Sequence, residues 1–204
     1  LGLINLVPFR VRGFMTDGAQ LLRLWTKPDA LMHAQRMARI ARSSVDGLRP
    51  RELQADDLAA LDPSRLTGIE RFAALALRAA VAADGGDLAQ ARRWLEPALA
   101  DWDQWPDGFR QVLAIPAAEL SIVLDGDAAA ARAWLAKAEG GLIEDFHVAW
   151  VEAGIAGLEG RAADRAQALE RVRRGIEDTV YRGDEQIYRE RLALGHTSQQ
   201  PDGH

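Results

Sequence analysis

The strongest constraint on this chain is that part of it repeats. Gly86 to Leu99 and Gly126 to Glu139, offset by 40 residues, agree at eight of 14 positions. Each copy opens on a glycine and an aspartate, and places Ala91, Leu95 and Ala98, or Ala131, Leu135 and Ala138, at helical spacing. That spacing lays the three side chains on one face. Each glycine suits the end of a preceding helix, and Asp87 or Asp127 suits the N-cap of the next. Trp94 and Trp134 add bulk among small residues that let helices approach closely. A weaker third copy starts at Gly160, with Ala163 and Leu169 in corresponding places. Such a unit cannot bury its apolar face alone, so the repeat predicts stacked antiparallel helix pairs.

Composition agrees. The chain has 37 Ala, 26 Leu and 23 Arg among 204 residues, all strong helix formers, with few of the aromatic residues that favour strands. Hydrophobic residues at 48% and charged residues at 27% exclude a disordered chain. The absence of cysteine excludes disulfides, thiolate metal sites and cysteine nucleophiles. A net charge of −5 argues against nucleic acid as a partner. The pattern predicts helices over 29–46, 52–61, 67–83, 87–102, 108–124, 128–139, 143–158, 162–179 and 184–193. Asp29 is expected to cap the first, and breaks fall at Asp62 to Ser64, at Asp107 and Gly108, and at Gly140 and Gly141. Gly195 to His204 are polar and expected to fray.

The repeat resembles the second helix of a tetratricopeptide unit, over about residues 66–180, with first helices near Phe72–Ala83, Ile115–Leu124 and Val148–Leu158. Trp102 to Gly108 lengthen the first loop beyond a strict period. The resemblance implies a groove that can hold a protein or peptide. The same pattern also suits a plain array of helical hairpins without a ligand. Ordinary catalytic signatures are missing: no His-Glu-x-x-His, Gly-x-Ser-x-Gly or Walker loop occurs. His147 follows Glu144 and Asp145 but reads as part of a polar first turn. Asp125 to Asp127 read as a turn plus a cap, and Arg165, Arg171, Arg173 and Arg174, alternating with Glu170 and Glu177, as a solvated face.

The opening residues differ. Leu1 to Phe9 form an apolar run broken only by Asn5, too short to span a bilayer as a helix. A basic turn, Arg10 to Gly13, leads to Asp17 and Gly18 and then to an apolar pattern through Leu21, Leu22 and Trp25. Asn5, Pro8, Asp17 and Gly18 in this order resemble the C-terminal active-site motif of the site-2 protease family, which are membrane-embedded zinc metallopeptidases. The second glycine of the family's Asp-Gly-Gly is Ala19 here, and Arg10 and Arg12 lie between the proline and the aspartate.

The resemblance implies that Asp17 is the third protein ligand to Zn2+. Asn5 and Pro8 shape the turn that presents Asp17, with Asn5 binding substrate backbone, and Gly18 allows close approach of the next helix; all three help position substrate. The other two ligands are the histidines of a His-Glu-x-x-His motif on an earlier segment. A catalytic zinc needs three protein ligands and an open position for water, and a carboxylate near the membrane is costly unless a metal or cation meets it. The residues equally allow Asp17 as an N-cap of the helix after it.

The expectation is therefore an all-α chain. Residues 1–27 would be the end of a site-2-protease-like core, and residues 28–204 a tetratricopeptide-like domain. Leu1 in place of an initiator methionine is read as a start inside a longer protein. Taken alone, the chain is expected to be inactive. Its partners would be the membrane core of the same protein and a protein or peptide substrate or regulator in the groove. Arg10, Arg12, Arg23 and Lys27 favour a cytoplasmic helical domain on a membrane-bound parent. The alternative is a non-enzymatic tetratricopeptide-like adaptor.

Overall fold

The computed structural model describes residues 10–11, 14–15, 28–138 and 143–194. The chain divides into two compact units, residues 1–43 and 44–204. In the first, β1 (Arg10–Val11) and β2 (Phe14–Met15) pair antiparallel, with Arg10 opposite Met15 and Val11 opposite Phe14. Arg10 and Val11, the first two residues of the expected basic turn, thus form a strand. Helix α1 (Pro28–Val45) begins two residues earlier than an Asp29 cap would place it. Proline at the first helical position forfeits no hydrogen bond, so Asp29 lies within the first turn.

The second unit opens with short elements. A 3-10 turn at Pro50–Glu52 precedes α2 (Ala55–Ala59), and another at Pro63–Arg65 follows it. The helix expected over 52–61 is cut short at both ends. Arg78, from the next helix, donates to the carbonyls of Leu58 and Leu61, and so takes the place of a further helical turn. Asp62 then accepts from the backbone N–H of Ser64 and turns the chain at Pro63.

Three helical hairpins follow: α3 (Gly68–Asp84) with α4 (Leu88–Ala100), α5 (Asp107–Val123) with α6 (Ala128–Ala136), and α7 (Asp145–Leu158) with α8 (Ala162–Asp178). Helix α9 (Arg182–Ala193) ends the described chain against α8. Apart from the ladder the described elements are all helical, so the fold is all-α. No described helix is long and apolar enough to cross a membrane.

The repeated turns do what their residues dictate. Asp87 and Asp127 accept from the N–H groups of Gln90 and Ala130, at 2.9 Å each. Gly86 and Gly160 adopt positive φ, and the N–H groups of Asp87 and Arg161 reach back five residues to the carbonyls of Ala82 and Ala156. Those two turns share one backbone closure. The turn at Gly126 is a residue wider: Asp127 reaches back six residues to Ser121. Asp107, expected to break the chain, instead begins α5, because Pro106 in extended conformation supplies the break. Trp105 fills the long loop before it, buried against Phe72, with its Nε1–H donating to the Ala98 carbonyl at 2.8 Å.

The core consists of three clusters in series. Phe72, Leu75, Leu95, Leu113 and Leu120 anchor the first, Ile115, Ala131, Val151 and Ile155 the second, and Phe146, Trp150, Val172, Ile176 and Tyr188 the third. Helix α5 serves the first through Leu113 and Ala117 and the second through Ala114 and Ala118. Helix α7 serves the second through Val151 and the third through Ala149. Both are apolar nearly all round because both are covered on two sides. Ala91, Leu95 and Ala98 are buried as the repeat requires, and so are Ala131 and Ala138, with Leu135 half-buried.

Candidate functional site

The first hairpin and α5 enclose an apolar groove of about 440 Å³. Small residues of α3 form one wall, Ala76, Ala79, Ala80 and Ala83. Leu88, Ala91 and Leu95 of α4 and Val112, Leu113, Pro116, Leu120 and Val123 of α5 form the others. Alanine at helical spacing lowers one wall and so creates the space. Pro116 has no N–H to offer, so it cannot take the carbonyl of Val112. The groove's lips are large apolar side chains left in water: Val112 is 48% exposed, Val123 59% and Leu194 68%. Isolated exposed apolar residues need no explanation, but here three of them surround one apolar groove.

One end of the groove is polar. Glu119 of α5 and Arg191 of α9 line it beside Trp150. Arg191 donates to the Glu119 carboxylate at 3.2 Å, and its guanidinium stands 5.7 Å from the Trp150 ring and 5.2 Å from the Tyr188 ring. The Tyr188 hydroxyl donates to Glu119 at 3.3 Å. On its other side that hydroxyl lies 2.8 Å from Nδ1 of His147, whose Nε2 is 4.0 Å from the Asp184 carboxylate. Five titratable side chains from α5, α7 and α9 thus run from the groove to the surface.

Their proton affinities follow from that placement. Burial pushes the His147 imidazole down to about 4, and the neighbouring Arg191 charge helps. Burial pushes the Asp184 carboxyl up to about 6, with Glu144 adding and Arg191 opposing. Tyr188 is raised well above its ordinary range, first by burial and then by Glu119. For Arg191 burial works against the charge, but Glu119, Tyr188 and Asp84 together outweigh it and raise the guanidinium. The His147–Asp184 pair therefore holds a neutral imidazole, and its carboxyl takes up a proton before the imidazole does.

A second polar cluster fastens α9. Arg49, nearly buried, ion-pairs with Asp84 at the end of α3 and with Glu190 on α9. The Arg51 N–H donates to Asp84 at 3.1 Å. Arg171, expected on a solvated face, instead reaches across its hairpin to Asp145 and Glu152 of α7. Asp125, expected in a simple turn, pairs with Arg92 of α4 at 2.6 Å.

The residues that the sequence marks for metal and substrate, Asp17, Asn5, Pro8 and Gly18, lie outside the described residues. So do Gly140, Gly141 and the polar tail from Gly195. Among the described residues no three His, Asp or Glu side chains converge as a metal site would need. Of the groove residues the repeat marks Ala91 and Leu95, whereas the groove's polar end escapes the sequence reading, although Glu119 left a sign. It is the single charged residue between Val112 and Leu124. Comparison with models of known families, with curated proteins and with solved structures finds no match to this chain.

Proposed function

We propose that residues 44–204 are a tetratricopeptide-like module that holds an apolar segment of a protein partner in the groove between α3, α4 and α5. On this reading the module belongs to the C-terminal side of a site-2-protease-like zinc metallopeptidase, and the segment it holds is substrate or regulator. The observation that carries the reading is the groove itself, which is apolar, lipped by exposed Val112, Val123 and Leu194, and within the volume range typical of ligand sites.

The protease half rests on the order of Asn5, Pro8, Asp17 and Gly18. In it Asp17 would be the third zinc ligand, and zinc would supply water activated for hydrolysis of a peptide bond. This chain's residues do not make a full zinc site, because it has no His-Glu-x-x-His. No step of hydrolysis is assigned to them.

The test of the module is direct. A fluorescein-labelled peptide with a ten-residue Leu/Ala core should bind the 204-residue chain, and Val123→Asp should abolish binding while leaving the helical circular dichroism unchanged. Val123 is exposed, so its replacement costs little stability. Unchanged binding by Val123→Asp would place the site elsewhere. In the protein that carries the earlier His-Glu-x-x-His, Asp17→Asn should end proteolysis with the module still folded. A pure adaptor would lose nothing by that change.

A further inference from the structure

We propose that the segment held in the groove is an apolar peptide flanked by lysine or arginine, with its basic flank over the acidic hairpin tips at the groove's mouth. The inference rests on the peptide-binding reading above and adds the chemistry of the partner.

Charge is distributed unevenly along the chain. Residues 44–204 hold 28 of its 30 acidic and 18 of its 25 basic residues, a net charge of −10 against −5 for the whole chain. Part of this excess sits where the groove opens. Gly86 and Leu88 line the groove and Asp87 lies between them, while Asp125 and Asp127 follow the lip residue Val123. Asp125 is neutralised by Arg92. Asp87 and Asp127 are exposed, accept only from the backbone N–H groups of Gln90 and Ala130, and meet no cation among the described residues. An apolar trough with uncompensated carboxylates at one mouth complements an apolar segment with a basic end.

The same facts disfavour a lipid. Arg191 is already engaged by Glu119, so the groove offers no lone cation to a fatty-acid carboxylate. A unit of net charge −10 is also repelled by anionic headgroups.

The test compares fluorescein-labelled peptides of ten alternating Leu and Ala, flanked by two Lys or by two Glu at each end, on the full 204-residue chain. Oleate and phosphatidylglycerol vesicles serve as further probes. The Lys-flanked peptide should bind about tenfold tighter, and the preference should shrink to roughly threefold or less in about 0.5 M salt, where screening is strong. Asp87→Asn with Asp127→Asn should remove most of the preference without lowering the melting temperature, since asparagine caps a helix as well as aspartate does.

Equal binding of both peptides overturns the charge inference and leaves the groove reading intact. An unaltered preference in the double variant overturns it as well. Oleate or vesicles binding where neither peptide does overturns both.

Discussion

The contributions of His147 and Asp184 to stability should nearly cancel between about pH 4.5 and 6, and removing either should unmask a slope of opposite sign. His147 is lowered from 6.5 to about 4. The unfolded chain then binds the proton first, so this contribution is whole above 6.5 and is lost as pH falls toward 4. Asp184 is raised from 3.8 to about 6, so the folded chain binds first. Its contribution is whole below 3.8 and is lost as pH rises through 6. At about 1.4 kcal/mol for each pH unit of displacement, each group alone is equal to roughly 3 kcal/mol. The side chains are 23% and 30% exposed, which trims the figure to about 2 kcal/mol across that window.

Charged and titratable groups face the pair from several elements. Glu119, Arg191 and Tyr188 stand on one side, and Glu144 and Asp84 add negative potential at Asp184. Urea unfolding followed by circular dichroism at pH 4.5, 5.5 and 6.5 reads the slopes. Relative to the wild type, Asp184→Asn should lose about 2 kcal/mol on acidification and His147→Gln should gain about as much. Parallel curves for all three proteins, or a wild type that steadily strengthens toward low pH, would refute the reasoning. In the second case the proton would sit on the imidazole in an ordinary ion pair.

Two further changes probe the packing. Gly175→Ala would drive a Cβ to 2.6 Å from the Cβ of Phe146, where α7 and α8 touch, and should cost about 1–3 kcal/mol in urea unfolding. Arg49→Leu would strand the buried carboxylate of Asp84 and should cost about 3–5 kcal/mol, whereas Arg51→Ala, whose side chain is 42% exposed, should cost less than about 1 kcal/mol by the same measurement.

Local chemistry made the hairpins readable. A glycine able to take positive φ, an aspartate cap and small residues at helical spacing each act within one turn, so the bounds of α3, α4 and α8 follow from neighbours in sequence. Helix α2 was overestimated because what shortens it is Arg78, some 20 residues further on. The candidate site was hidden for the same reason. His147 has two carboxylates just before it in sequence, yet its partners are Asp184 and Tyr188, which only the stacking of α9 on α7 and α8 can deliver. Glu119 was readable in part, as a lone charge within an apolar helix must find a partner. That the partner would be Arg191 was not.

The double duty of α5 and α7 has a consequence for how this unit tolerates change. Helices α4, α6 and α8 each keep an outer side in water, so substitutions accumulate there at little cost. A helix shared between two cores has little of such a side: apart from exposed positions such as Val112 and Val123, most replacements along α5 or α7 disturb one hairpin or the next. Drift along this chain should therefore run in alternation, quick on one helix of each pair and slow on the other. The groove borders the slow-changing α5, so its shape should outlast the surface around it.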